Sequence, residues 1–274
     1  MALTDSLISY YKSDTDGSYP DAHGSNNGTI NGATYTASGK INGAYSYDGA
    51  AGGDYIDLGF KPPANADWAY SMWIKPTDYA AIYGIVATQT GDASRQGLLV
   101  RVNSDNTIHV YWHDQPTDVG SITPATTYTA GQWVHIIINH DKTNNIIKLY
   151  TNGVLRGTDA GKIVQTHEHN IQIGRYYDGS SQKSMKGLID EVGVWSRTLT
   201  DGGVSVGQTA GGEIAELYNS GAGLQYPFTT GVPLKRWNGS AWVETHTVKR
   251  YTGAAWTSAT MKYYDGAAWQ DIAN

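Results

Sequence analysis

Apolar positions in this chain come in short groups separated by clusters of Gly, Asn, Asp, Pro and Thr, the arrangement of strands and turns. The groups predict strands over 70–75, 84–87, 97–102, 107–113, 133–139, 146–151, 170–173 and 187–195. Between two of them, Asp141-Lys142-Thr143-Asn144-Asn145 is a turn sequence that leads Ile136-Ile137-Ile138 back to Ile147, so a hairpin is expected. In Ser71-Met72-Trp73-Ile74-Lys75 and Val134-His135-Ile136-Ile137-Ile138, the alternation or unbroken apolar run suits strands buried between stacked sheets. Helical spacing occurs in Glu213-Ile214-Ala215-Glu216-Leu217-Tyr218-Asn219, with Gly221 and Gly223 as the stop.

After residue 234 the pattern changes to a repeat of 13 to 14 residues, in the order basic, variable, aromatic, polar, Gly, small, Ala, Trp. Its copies are Lys235-Arg236-Trp237-Asn238-Gly239-Ser240-Ala241-Trp242, Lys249-Arg250-Tyr251-Thr252-Gly253-Ala254-Ala255-Trp256 and Lys262-Tyr263-Tyr264-Asp265-Gly266-Ala267-Ala268-Trp269. Each polar-Gly pair signals a hairpin turn, with the aromatic and the Trp packing across two short strands. About 40 residues of hairpin without disulfides or metal are marginal unless they pack on something else, so the tail is expected to dock. Trp237, Trp242, Tyr251, Trp256, Tyr264 and Trp269 are its docking residues. The expected organisation is a β-sandwich over 1–225, a proline-bracketed linker over 226–234 and a three-copy hairpin module over 235–274.

Composition sharpens this picture. With 33 Gly, 20 Tyr and 9 Trp among 274 residues and 16% charged residues, the chain favours short strands and tight turns. The fold class expected is all-β. A formal charge of −6 lacks the field that draws proteins to nucleic-acid phosphates. The tail, with five Lys or Arg against three Asp or Glu, runs the other way. Cysteine is absent, so the core alone must hold the fold, which argues mildly against a secreted disulfide-built module. The start has no cationic region followed by an apolar run, and no segment approaches the ~20 apolar residues of a membrane span. A soluble chain without an export signal is therefore expected.

Seven segments resemble those of laminin-G-like, concanavalin A-like jelly-roll domains and follow the order usual there. They are Tyr45-Ser46-Tyr47-Asp48-Gly49, Asp54-Tyr55-Ile56-Asp57-Leu58-Gly59, Tyr70-Ser71-Met72-Trp73-Ile74-Lys75-Pro76, Gly131-Gln132-Trp133-Val134-His135-Ile136, Lys148-Leu149-Tyr150-Thr151-Asn152-Gly153, Ile171-Gln172-Ile173-Gly174 and Gly187-Leu188-Ile189-Asp190-Glu191-Val192. The resemblance implies a two-sheet antiparallel jelly-roll sandwich, with Trp73, Trp133 and Trp195 in its core. It also implies a structural calcium where the early loop meets the Asp190 strand, with Asp21, Asn26, Asp48 and Asp190 as candidate oxygen ligands. The same residues read equally as turn and strand-capping positions that bond their own backbone. Asp14-Thr15-Asp16-Gly17 lacks the distal Glu of a calcium loop and reads as a turn.

Thr166-His167-Glu168-His169 is not the zinc-protease pattern and reads as a solvated loop, while His135 and His140 read as edge or turn positions. Sandwiches of this shape include laminarinase-type glycosidases, which need two carboxylates from alternate positions of one strand. Asp190 and Glu191 are adjacent and should point to opposite faces, so no enzyme is expected. Binding remains. Tyr176-Tyr177-Asp178-Gly179-Ser180-Ser181-Gln182 and Trp112-His113-Asp114-Gln115 read as loops suited to sugar recognition, with Trp112, Tyr176, Tyr177 and Asp178 as the ligand-binding candidates. The tail repeats resemble those at the ends of phage structural proteins. The role expected is a virion surface protein, as capsid decoration, head fibre or tail component, attached to phage proteins or sister chains by its repeats and touching cell-surface glycans. A bacterial cell-surface adhesin or carbohydrate-binding module with wall-binding repeats is the alternative.

Overall fold

The computed structural model describes residues 1–50, 53–89, 96–115, 118–161, 166–177 and 182–228, and six short strands beyond them. The strands of the main body are β1 (Leu7–Tyr11), β2 (Thr29–Asn31), β3 (Thr34–Ile41), β4 (Gly43–Asp48), β5 (Tyr55–Asp57), β6 (Trp68–Pro76), β7 (Tyr83–Ala87), β8 (Gly97–Val102) and β9 (Ile108–Gln115). They continue with β10 (Asp118–Ile122), β11 (Val134–Asp141), β12 (Ile146–Thr151), β13 (Val154–Ala160), β14 (Gln172–Ile173), β15 (Arg175–Tyr177), β16 (Gln182–Ser184) and β17 (Lys186–Trp195). One sheet has eight strands in the order β13-β12-β11-β6-β17-β4-β3, with β1 also paired to β17, and the other has seven in the order β10-β9-β8-β7-β14-β5-β2. The fold is the all-β, two-sheet antiparallel sandwich expected from the sequence.

Alternation along the strands builds the core between the sheets. Tyr70, Met72 and Ile74 of β6 and Val134, Ile136 and Ile138 of β11 meet Leu98, Val100 and Val102 of β8 and Ile108, Val110 and Trp112 of β9 in one buried cluster. The turn at Asp141 closes the expected β11–β12 hairpin, with Asp141 opposite Ile146. The expected helix forms as α1 (Gly212–Tyr218), ended by Asn219 in the left-handed conformation rather than by the glycines that follow.

Three expectations change in the structure. Trp73 and Trp195 are buried, but Trp133 is half-buried beneath the Lys75 ammonium. His135 and His140 are not edge positions, because β11 lies between β6 and β12 and both imidazoles are buried. Trp112 belongs to strand β9 and points inward at 1% exposure, so its indole is part of the core rather than a loop platform.

The chain divides into two compact units, Met1–Tyr226 and Pro227–Asn274. Within the second unit, β18 (Leu234–Trp237) pairs with β19 (Trp242–Thr245), β20 (Lys249–Tyr251) with β21 (Trp256–Ser258), and β22 (Lys262–Tyr264) with β23 (Trp269–Asp271). The registers set Trp237 opposite Trp242, Tyr251 opposite Trp256 and Tyr264 opposite Trp269, so each repeat is one hairpin closed by an aromatic-Trp position.

Candidate functional site

Every second residue of a sandwich strand faces away from the core. On the seven-stranded sheet these outward positions include Tyr55 and Asp57 on β5, Gln172 on β14, Leu99 and Arg101 on β8, and His109, Tyr111 and His113 on β9. The β15–β16 hairpin packs against β7 on this side. Gly84 makes that possible, because a Cβ there would stand 2.5 Å from the Tyr176 nitrogen and 2.6 Å from the Lys183 oxygen. Tyr176 is the anchor. At 3% exposure its ring packs with Ala87 and Leu99, flanked by Ile82 and Tyr111.

Anchoring Tyr176 turns its neighbours Arg175 and Tyr177 to the other side of the hairpin. The Arg175 guanidinium lies 3.2 Å from the centroid of the Tyr55 ring, and its Nε donates to Gln172 Oε1 at 3.1 Å and its Nη1 to Gln182 Oε1 at 3.3 Å. Burial draws the guanidinium pKa below its ordinary value, against an upward pull from Tyr55 and Asp57. Tyr177 is 37% exposed. Opposite, His113 Nδ1 donates to Gln89 Oε1 at 2.9 Å, and the amides of Glu168 and His169 donate to the Thr88 carbonyl, which sets His169 beside Gln89. Gln89, His169, Gln172, Arg175, Tyr177 and Gln182 enclose a cleft of about 440 Å³. That volume lies within the range of small-ligand sites. Side-chain amides donate and accept at once, as hydroxyl groups require, and the phenol ring offers an apolar face.

Of the ligand-binding residues expected from the sequence, Tyr177 lines this cleft, Tyr176 is the buried anchor beneath it, Trp112 is in the core, and Asp178 lies outside the described residues. Tyr176 and Trp112 fail as platforms for the same reason: both sit on strands, and alternation turns them inward. The segment read as a solvated loop is split likewise. His167 is buried, bonded to Thr88 Oγ1 at 2.8 Å and edge-on to Trp68, whereas His169 is exposed at the cleft. Sequence reasoning missed Gln89, Gln172 and Arg175, whereas Gln182 ends the segment read as suited to sugar recognition. The one signal available for them was the period of two in the strands that carry Gln172 and Arg175.

The calcium candidates fall into three hydrogen-bond systems. Asp21 accepts the backbone N–H groups of Tyr10, His23, Gly24 and Asn26, and Asn26 donates its side-chain amide to Ser9 Oγ. Asp48 accepts from Ala50 N, while its own amide donates to Asp54. Asp190 accepts from Lys40 N and Ile41 N on one oxygen and from Glu191 N on the other. Calcium needs oxygens turned to one point with their lone pairs open. These carboxylates are occupied by N–H donors, and among the described residues no three acids or histidines are placed to hold a metal ion. The arrangement fits turn and strand capping and does not fit a calcium cage.

Asp190 and Glu191 do not diverge as neighbours on a regular strand would. The ladder slips between Asp190 and Gly193, Glu191 takes a left-handed φ of 52°, and both carboxyls are buried, at 0% and 2% exposure. Glu191 accepts from the Tyr10 hydroxyl and the Gln225 amide, and that amide also donates to Asp14. Burial, reinforced by the charge of Asp190, pushes Glu191 up to about 9, and burial pushes Asp190 up to about 7 against its three backbone donors.

A family model described as the concanavalin A-like lectin/glucanases superfamily matches residues 48–205. Among solved structures, the binding domain of Paraclostridial Mosquitocidal Protein 1 is similar with a TM-score of 0.57 and 15% identity, over 73% of this chain and 51% of that one. The receptor binding domain of botulinum neurotoxin D is similar with a TM-score of 0.55 and 16% identity, over 73% of this chain and 51% of that one. Domain 4 of AbnA, a GH43 extracellular arabinanase from Geobacillus stearothermophilus solved in complex with arabinotriose, gives a TM-score of 0.53 and 21% identity, over 71% of this chain and 94% of that domain. The chain spans about half the length of the two toxin domains. No curated protein sequence matches it. At these identities the likeness is one of fold, and a shared fold does not carry a function with it.

Proposed function

The chain belongs to the concanavalin A-like lectin/glucanases superfamily, and we propose that it is a non-catalytic module that binds a saccharide in the cleft on the outer face of its seven-stranded sheet. The observation that carries this reading is the lining: three glutamine amides, a guanidinium, an imidazole and a part-exposed Tyr177 ring around about 440 Å³. Hydroxyl groups pair with the amides, and the C–H face of a sugar ring stacks on the phenol. An arabinotriose-bound domain with the same fold supports the reading. Catalysis is disfavoured because the adjacent pair Asp190 and Glu191 is buried under Tyr10 and Gln225, out of reach of a substrate. The finer role is display on a bacteriophage virion, with the C-terminal hairpins as the attachment to the particle or to sister chains. The repeats and the absence of cysteine support it, and a bacterial surface adhesin is the competing placement.

Calorimetric or NMR titration of the full chain with a panel of neutral and acidic mono- and oligosaccharides tests the binding. At least one sugar is expected to bind, with Tyr177→Ala weakening it about two- to tenfold, since stacking on an aromatic face contributes about 0.5–1.5 kcal/mol. A panel without binding, or binding that Tyr177→Ala leaves untouched, overturns the assignment. Attachment is tested by mixing virions with the full chain and with one ending at Tyr226. Equal association of the two removes the docking role of the tail.

A further inference from the structure

Among the described residues that line the cleft, Arg175 is the one fixed cation, and none is an acid. Its guanidinium is laid flat against the Tyr55 ring and held at two points by neutral amide oxygens, those of Gln172 and Gln182. Two of its five N–H groups are thereby used. Among the described residues Arg175 forms no ion pair. Asp57, the acid whose charge it feels, accepts instead from Gly59 N at 2.8 Å and Asn170 Nδ2 at 3.1 Å. Elsewhere in this unit a partly buried Arg meets a carboxylate: Arg197 is paired to the buried Glu213. Arg175 is thus a half-buried, oriented fork with no ion-pair partner among the described residues, in a chain whose net charge is −6. A guanidinium fixed in this way matches a planar carboxylate and gains its counter-charge when one arrives.

We infer that the cleft selects carboxylated saccharides, uronic-acid-type sugars in which the acid group meets the free edge of Arg175 while the ring lies against Tyr177 and the hydroxyls meet Gln89, Gln172 and Gln182. This rests on the saccharide-binding reading above and narrows it to one chemical class. Neutral sugars satisfy the amides and the ring but bring no carboxylate to the guanidinium. A bare carboxylate satisfies the guanidinium but nothing else. The class is therefore set by having both parts in one molecule.

The wild-type full chain tests the inference without any variant. Glucuronate, glucuronic acid methyl ester and acetate are titrated in turn at neutral pH and low salt, with affinity read by calorimetry and the contact read by NMR shifts of the Tyr177 ring. A charge-assisted pair predicts that glucuronate binds about tenfold or more tighter than its ester, and far tighter than acetate. Arg175→Gln is expected to erase the difference between acid and ester, and Arg175→Lys, which keeps charge but loses the fork, to retain part of it; near-UV circular dichroism of each variant checks that the hairpin still packs. Equal affinity for glucuronate and ester, or a preference that survives in Arg175→Gln, overturns the inference while binding of both sugars at Tyr177 would leave the saccharide reading standing. Acetate binding as tightly as glucuronate overturns it in favour of a simple anion site. No binding of either sugar overturns the inference, and the saccharide reading then stands or falls with the full panel.

Discussion

The outer faces of the two sheets are built from the same alternating strands and end differently. On the eight-stranded sheet the outward residues around Trp73 are covered, although a second cleft of about 430 Å³ opens farther along β11 and β12 beside Lys148 and Asp201. Trp73, His135 and Tyr218 form a stack with ring centroids 4.7 and 6.0 Å from Trp73, and the Lys40 ammonium caps the indole at 4.3 Å. Asn139 clamps both backbone groups of Leu199, and the buried Arg197–Glu213 pair holds the start of α1. The segment leading to Tyr226 continues the cover, with Gln225 on Glu191 and Gly221 accepting from Lys40. On the seven-stranded sheet the cover is a two-stranded hairpin, which closes over Ala87 and Leu99 and then leaves amides, an arginine and a tyrosine open to solvent. Trp73, His135, Tyr218 and Lys40 on the first face pack on one another and are structural. On the second face Arg175 and Tyr177 line a cleft.

The contrast can be broken by mutation. Trp73→Ala should lower unfolding stability by about 3–5 kcal/mol, because it empties a buried indole site, and denaturant titration reads this directly. A loss below about 1 kcal/mol would mean that the cover over Trp73 is not tightly packed. A smaller effect comes from pH. Burial, followed by the Lys40 charge, pushes His135 down to about 3, so the folded state keeps it neutral while the unfolded chain protonates near 6.5. Stability from this group is therefore complete above about 6.5 and is lost progressively as pH falls toward 3. Between pH 6.5 and 5 the loss should be about 2 kcal/mol from His135, with His140 and His167 acting in the same direction because burial depresses them to about 4 and 3. His135→Gln should flatten the profile, and an unchanged slope would contradict burial of the imidazole. The smallest change expected is in the stability of Tyr177→Ala, within about 0.5 kcal/mol of wild type, since the ring is 37% exposed. That variant should be lost to binding and not to folding. A large loss of stability would place Tyr177 among the structural residues.

The contrast also explains which residues could be recognised early. His135 and Trp73 carry opposite signals of polarity, yet register sets them opposite each other and stacks them under α1. A polar residue inside an apolar run says that a strand is present but not what covers it. Asp190 and Glu191 are adjacent letters, and the rule of opposite faces fails because one left-handed residue at a slip in the ladder redirects the second carboxyl. Trp112 and Tyr176 look like loop aromatics because they sit beside Asp, Gly and Ser, but each is the inward member of a strand.

From local pattern alone the chain indicates eight of the seventeen strands of its main body, the Asp141 hairpin, the short helix at Glu213 and the repeat after residue 234, because periodicity and turn chemistry act over a few neighbouring residues. The order of seven short segments is enough to indicate the sandwich. Tertiary structure decides the site. Gln89, Gln172 and Gln182 become partners of Arg175 and Tyr177 only when β7, β14 and the β15–β16 hairpin meet, and that meeting depends on the missing side chain of Gly84 and the burial of Tyr176. Residues up to 93 positions apart in the chain share one cleft of about 440 Å³, and no local pattern encodes a distance of that kind.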